Sequence, residues 1–205
     1  MLKRMPVLML RTCAVIFGIV INIVVAPTLA RSQGAASPAP ITKFSAIGMN
    51  GRMVSYNTHA EKPTVVVFVS TRCPISNAFN YRLNALYTRF SDRVQFVVVD
   101  SNANESLEEI VAHAKAMEYD FPVFQDVDNS LADLLGAKAT PDSFVIDRYG
   151  RVVYHGYIED ALNQQRSRDP ALRLAIESTL ADRPVTRRET HARGCAIRHA
   201  RGTLN

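Results

Sequence analysis

Apolar positions along this chain fall into two kinds of block. Residues 64–70 form a short continuous run rich in valine and phenylalanine, and residues 94–99 form a second one interrupted only at Gln95. A run without polar alternation predicts a strand covered on both faces. Elsewhere apolar residues recur three or four apart. Phe79, Leu83, Leu86 and Phe90 mark one face of a helix over residues 74–90. Ser106-Leu107-Glu108-Glu109 reads as a capping box opening a helix that runs to about Tyr119. Residues 121–125 form a short strand, and residues 130–135 a short helix stopped by Gly136.

Turn signals supply the remaining boundaries. Asn50-Gly51 lies in the middle of residues 44–56 and predicts a hairpin. Tyr149-Gly150 separates residues 144–146 from residues 152–158, a strand-turn-strand pair. Asp169-Pro170 offers an N-cap and a first-turn proline for a helix to about Leu180. The order is β-hairpin, β, α, β, α, short β, short α, β, β, α, with no internal repeat. It predicts an α/β domain with a mostly parallel central sheet, to which the last hairpin adds antiparallel strands.

The ends differ from this middle. The chain has 205 residues, enough for one ordinary domain plus end segments. Lys3, Arg4 and Arg11 precede an almost wholly apolar stretch, and Pro27-Thr28-Leu29-Ala30 places small residues after it. Residues 1–30 therefore read as a secretory signal, or as a membrane anchor if uncleaved. Residues 31–41 are rich in Ser, Ala, Pro and Gln, as linkers are. The domain is expected over residues 42–182. Residues 183–205 lack periodicity and read as an extended tail, its Arg187, Arg188, Arg193, Arg198 and Arg201 forming a solvated basic arm. Net charge is +5 with 47% hydrophobic and 21% charged residues, so a real core is expected and global disorder is not. The expected location is outside the cytoplasm, in a bacterial periplasm. No nucleic-acid partner is expected, and the membrane is met only through the N-terminal segment.

Three cysteines, Cys13, Cys73 and Cys195, exclude a disulfide-stapled mini-fold and a four-cysteine zinc site. Signal cleavage removes Cys13. The surviving two would then sit where disulfides persist. Cys73 follows the first buried run directly, in Thr71-Arg72-Cys73-Pro74-Ile75-Ser76. A cysteine where a strand hands over to a helix meets free N–H groups that favour a thiolate. Arg72 and Thr71 lie close enough in sequence to add to that environment. Ser76 holds the place where a dithiol motif would keep its second cysteine, and its hydroxyl could donate to the thiolate. Ala139-Thr140-Pro141 precedes a strand, a frequent place for a cis peptide bond.

The pairing of Cys73 with Thr140-Pro141 resembles the thioredoxin fold, whose active cysteine lies beside a cis-proline loop that contacts substrate. The wider set is Thr71 to Ser76, Tyr81-Arg82-Leu83, Phe121-Pro122, Gly136-Ala137, Thr140-Pro141-Asp142, Tyr154-His155-Gly156, Asp160 and Gly194-Cys195-Ala196-Ile197. It resembles the peroxiredoxin-like redoxins, relatives of the alkyl hydroperoxide reductase and thiol-specific antioxidant proteins. That resemblance implies a central mixed sheet flanked by helices and a thiol oxidoreductase with Cys73 as nucleophile. Its substrate would be a disulfide, on a protein for instance, or a peroxide, with an external thiol as a possible reductant. Two positions depart from the family. Val66 stands where the peroxiredoxin P-x-x-x-[ST]-x-x-C signature has proline, and Ser76 replaces the second cysteine of C-x-x-C. A second thiol must come from elsewhere, and Cys195 on its tail is the candidate, since loop closure grows costly only slowly with length. The alternative is a non-catalytic thioredoxin-fold binding domain with a structural Cys73–Cys195 disulfide. No cofactor is expected. Metal binding is not expected either, because the C-x-x-x-C pair of copper-delivering redoxin relatives is absent. His113 reads as a surface residue and His155 lacks ligand partners, while Asp100, Asn102 and Asn104 are explained by turn chemistry or the mouth of the site.

Overall fold

The structure, a computed structural model, describes residues 39–58 and 61–200. The expected signal, Cys13, most of the linker and Arg201 lie outside the described residues.

The chain forms β1 (Lys43–Gly48), β2 (Met53–Asn57), β3 (Thr64–Val69), α1 (Pro74–Asn77), α2 (Asn80–Phe90), β4 (Gln95–Asp100) and α3 (Leu107–Ala116). There follow β5 (Val123–Gln125), α4 (Ser130–Leu135), β6 (Ala139–Thr140), β7 (Asp142–Ile146), β8 (Val152–Gly156), α5 (Ala171–Leu180) and β9 (Cys195–Ala196). Seven strands make one sheet in the order β2-β1-β5-β4-β3-β7-β8. Parallel pairing is confined to β3–β4 and β4–β5. The sheet is therefore mixed rather than mostly parallel. The N-terminal hairpin joins β5 antiparallel through β1, and β7 enters antiparallel to β3. Only the two helical crossovers, through α2 and through α3, return the chain in the same direction.

Every residue of β3 is buried, as its unbroken apolar run requires. Val65, Val67 and Val69 face Leu83, Phe90, Ile110, Leu172 and Ile176, which come from α2, α3 and α5. Val66 and Phe68 face the opposite layer, with Leu131 and Ala132 of α4, Phe144 of β7 and Ile197 of the tail. Fully burying a side chain of this size contributes roughly 1.5–3 kcal/mol. The sheet is thus fixed from both sides, and the C-terminal ends of β3 and β4 are held against each other with Val69 opposite Asp100.

Three boundaries differ from expectation. Residues 74–90 make two helices, because the Phe79 amide bonds the Ser76 carbonyl at 2.9 Å and tightens the first turn. The capping box at Ser106 is present, but α3 stops at Ala116, where Glu118 turns left-handed at φ 51°. Pro170 rather than Asp169 is the cap residue of α5. The Asp169 carboxylate instead receives the Tyr157 hydroxyl at 2.6 Å and pairs with Arg187.

The largest departure is the tail. The described part of residues 183–205 is bonded to the domain along its length. The His155 amide donates to the Arg188 carbonyl, and the Thr190 amide donates to the His155 carbonyl, both at 2.9 Å. Further on, β9 pairs antiparallel with β6, setting Ala139 against Ala196 and Thr140 against Cys195. Ile197 is buried, and the Arg198 amide donates to Asn102 Oδ1 at 3.0 Å. Among the described residues, no helix is long and apolar enough to cross a membrane.

Candidate active site

Cys73 caps α1. Its backbone is extended, at φ −88° and ψ 111°, and its sulfur accepts the Ser76 amide at 3.3 Å. Pro74 follows at the first helical position, where its missing N–H leaves nothing unsatisfied. In the thiol state Cys73 Sγ donates to the Thr140 carbonyl at 3.2 Å. The Thr140–Pro141 peptide bond is cis. The two motifs that sequence reading paired across 67 residues thus meet at one sulfur.

The tail completes the site. β9 lies along β6 with Cys195 opposite Thr140, the residue whose carbonyl accepts from Cys73 Sγ, so the register sets Cys195 beside Cys73. Gly194 makes this approach possible, since a Cβ there would fall inside the van der Waals sphere of the Thr140 carbonyl oxygen. Gly156 does the same at the other tail anchor, where a Cβ would lie 2.6 Å from the Thr190 carbonyl oxygen. Cys73 is 1% exposed, while Cys195 is partly exposed.

The two sulfurs have opposite proton affinities. Burial pushes the Cys73 thiol up. The neighbouring Cys195 thiol, then the Ser76 amide, with smaller effects from Thr140 and the Cys195 amide, outweigh burial and leave Cys73 below the ordinary thiol range. The Thr140 hydroxyl itself is buried with no hydrogen-bond partner. Cys195 is pushed up to about 11, chiefly by its hydrogen bond to Cys73, with burial and the negative charges of Cys73 and Glu105 adding to it. The thiolate of the pair therefore belongs to Cys73.

The residues expected around the thiolate act differently from expectation. The Arg72 guanidinium pairs with Glu109 at 2.6 Å and is half-exposed, so it is held away by the capping-box glutamate. The Ser76 hydroxyl accepts the Ser70 amide at 3.3 Å, and its backbone N–H serves the sulfur instead. Helix α1 is a single turn, so individual amides do the work that a long helix dipole would share. Thr71 donates its amide to Glu105 at 2.6 Å, and its hydroxyl to the same carboxylate.

Glu105 is the site residue that sequence reading missed. It is 3% exposed and receives the Ser70 hydroxyl at 2.6 Å as well. Asp100 is buried beside it and is pushed up to about 8, by burial first and then by the Glu105 charge. Asn102, read as turn chemistry, bonds Asp100 Oδ1 from both its amides at 2.9 Å and holds the tail at Arg198. His155 pairs with Asp142 at 3.0 Å and stacks on Phe144, which explains it without a ligand. His113 bonds Asn77 Oδ1 at 3.1 Å and is half-buried rather than a free surface residue. Among the described residues, no group of three His, Cys, Asp or Glu side chains could hold a metal ion.

The fold is thioredoxin-like, with a buried cysteine opening its first helix, a cis proline beside it and a second cysteine on the strand opposite Thr140. The chain belongs to the AhpC/TSA family, whose model matches residues 37–155. It is similar to the thiol-disulfide oxidoreductase YkuV of Bacillus subtilis (strain 168), at 25% identity over 118 residues that cover 56% of this chain and 80% of that protein. Among solved structures it is similar to the hypothetical protein SMc02350 of Sinorhizobium meliloti 1021, with TM-score 0.71 and 27% identity over 82% of this chain and 97% of that one. An uncharacterized conserved protein from Geobacillus kaustophilus shares the fold with TM-score 0.72 and 24% identity, over 80% of this chain and 93% of that one. The family match ends before Cys195, so that cysteine lies outside the matched segment.

Proposed function

We propose that this protein is a thiol oxidoreductase that reduces a small oxidant, a hydroperoxide or a small disulfide, through an intramolecular Cys73–Cys195 cycle. The observation that carries this reading is the strand register that sets Cys195 opposite Thr140, whose carbonyl accepts from Cys73 Sγ at 3.2 Å, with the proton affinities of the two thiols shifted in opposite directions. The Cys73 thiolate attacks the oxidant. A peroxide ROOH takes up one proton, leaves as ROH and converts Cys73 to a sulfenic acid. A disulfide leaves as a thiolate and puts a mixed disulfide on Cys73. Cys195 then attacks Cys73, forming the Cys73–Cys195 disulfide and releasing water or the second thiol. Two electrons leave the cysteine pair in either case.

The tail supports a small substrate. It is anchored on both sides of Cys195, at Arg188 to Thr190 and at Ile197 to Arg198, and it covers Cys73. Displacing it would sacrifice several backbone hydrogen bonds, each contributing roughly 0.5–1.5 kcal/mol. A folded protein substrate would have to bear that cost before reaching the sulfur. The return step favours the more exposed sulfur. An external thiol attacks Cys195, and Cys73, whose thiol ionises more readily, is the better leaving group.

The same asymmetry favours exchange over a static bridge, because a purely structural disulfide needs no low-pKa partner. The layout of residues 1–30 supports export to an oxidising compartment, where the disulfide form would persist until a thiol donor reduced it.

The test is peptide mapping of reduced full-length protein after one equivalent of hydrogen peroxide or glutathione disulfide, quenched by alkylation. The expected product is a Cys73–Cys195 linked peptide that a dithiol reverses. If Cys73 is recovered alkylated and unlinked after both oxidants, the cycle is wrong.

A further inference from the structure

Glu105 lies on the loop between β4 and α3, one residue before the capping box. Its carboxylate is buried with no ion-pair partner among the described residues. Both oxygens accept from the two residues at the end of β3. Ser70 Oγ receives the Arg72 amide at 3.1 Å, so its own proton goes to Glu105 Oε1 at 2.6 Å. Thr71 gives its amide and its hydroxyl to Oε2. The Glu105 backbone is pinned as well, with its amide on the Asn102 carbonyl at 3.0 Å and its carbonyl on Gln125 Nε2 at 2.9 Å. The carboxylate therefore stitches the β4–α3 loop to the turn that begins two residues before Cys73.

Among the described residues, no lysine or arginine pairs with it, since the nearby Arg72 is taken by Glu109. Its charge acts on the groups packed round it. It disfavours ionisation of Asp100 at the end of β4 and of Cys195 in β9, and it favours protonation of His113 in α3, where burial prevails. The forces acting on Cys73 come instead from burial, Cys195, Ser76 and Thr140.

We propose that Glu105 is the positioning residue of the cysteine pair. Through Ser70 and Thr71 it fixes the turn that presents Cys73 to the Ser76 amide, so that Cys73 is the sulfur that attacks. This rests on the two-cysteine reading above, but its test needs no oxidant, so the two can fail separately.

The experiment is the alkylation rate of each cysteine with iodoacetamide, resolved by peptide mapping across the pH range, in reduced full-length wild type, Glu105→Gln and Glu105→Asp. In Glu105→Gln the turn loses the carboxylate that receives Ser70 and Thr71, so the ratio of Cys73 to Cys195 rates at neutral pH should fall below that of wild type. Glu105→Asp, which keeps the charge, should restore most of the ratio. A merely structural glutamate would instead let both cysteines react faster together as the fold loosened. That parallel rise, or an unchanged ratio in folded Glu105→Gln, overturns the proposal. If Glu105→Gln does not fold, Ser70→Ala removes one arm of the stitch and leaves the charge. Cys73 should then slow while Cys195 keeps its pH midpoint, and an unchanged Cys73 rate overturns the proposal.

Discussion

Thr140 and Cys195 face each other as antiparallel strand partners, and Cys73 Sγ donates to the Thr140 carbonyl at 3.2 Å. The residue before the cis proline is therefore occupied by the chain's own tail. A two-residue strand pair is too short to be stable alone. Its persistence here rests on flanking anchors, with Ile197 buried against the sheet and the Ile197 amide on the Lys138 carbonyl at 3.0 Å.

The first consequence concerns reactivity. The strongest effect lowering the Cys73 thiol is the hydrogen bond from Cys195. Removing that donor in Cys195→Ala should raise the pH at which Cys73 becomes a thiolate. Thiolate absorbance or alkylation rate against pH would show the midpoint moving up, with slower reaction at neutral pH. Cys195→Ser, whose hydroxyl can still donate, should move it less. An unmoved midpoint in the alanine variant would mean that the Ser76 amide alone sets the thiolate.

The same variant has a fate under oxidant. Without a resolving thiol, the sulfenic acid on Cys73 persists and meets a second peroxide. Cys195→Ala should accumulate sulfinic acid at Cys73 under excess peroxide, seen as a gain of two oxygens by mass spectrometry. Wild type should lose two hydrogens and stay reducible.

Gly194 carries the third prediction. Any side chain there meets the Thr140 carbonyl, which belongs to the rigid cis-proline loop. Gly194→Val should force the tail off β6 and destabilise the fold by roughly 1–3 kcal/mol. Cys73 should become accessible to bulky maleimides that wild type excludes, and formation of the Cys73–Cys195 disulfide should slow by about tenfold or more for a loop that must close from a free tail. Retained protection with fast disulfide formation would show that the tail is not held through this contact.

The sequence made the sheet and the nucleophile legible because both are local signals. Short valine-rich runs favour buried strands, and Pro74 directly after Cys73 favours the first position of a helix. Glu105 was illegible for the opposite reason. Its partners, Ser70 and Thr71, are 35 and 34 residues away, and only the parallel pairing of β3 with β4 brings the two loops together. The tail hid similarly. It is held by backbone contacts to Asn102, His155 and Lys138 and by one buried Ile197, which leave no hydrophobic period to read. Arg72 was misread because nearness in sequence said nothing of Glu109, whose second oxygen completes the capping box at Ser106.

Asp100 gives the stability prediction. It is 1% exposed, its Oδ1 is held by Asn102, and its Oδ2 has no hydrogen-bond partner. Burial and the Glu105 charge raise it to about 8 in the folded protein, against an ordinary carboxyl value of 3.8 in the unfolded chain. Between these values the folded state holds a proton that the unfolded state does not. Folding stability attributable to Asp100 is therefore full below the unfolded value and declines steadily as pH rises toward 8. Asp100→Asn cannot ionise and keeps an acceptor for Asn102, so it should remove that decline. Urea midpoints between pH 5 and pH 9 should fall in wild type and run flatter in the variant, with the gap widening toward the alkaline end. Parallel curves would show that Asp100 is already ionised across the range, and that the buried carboxylate is compensated by a donor near Oδ2.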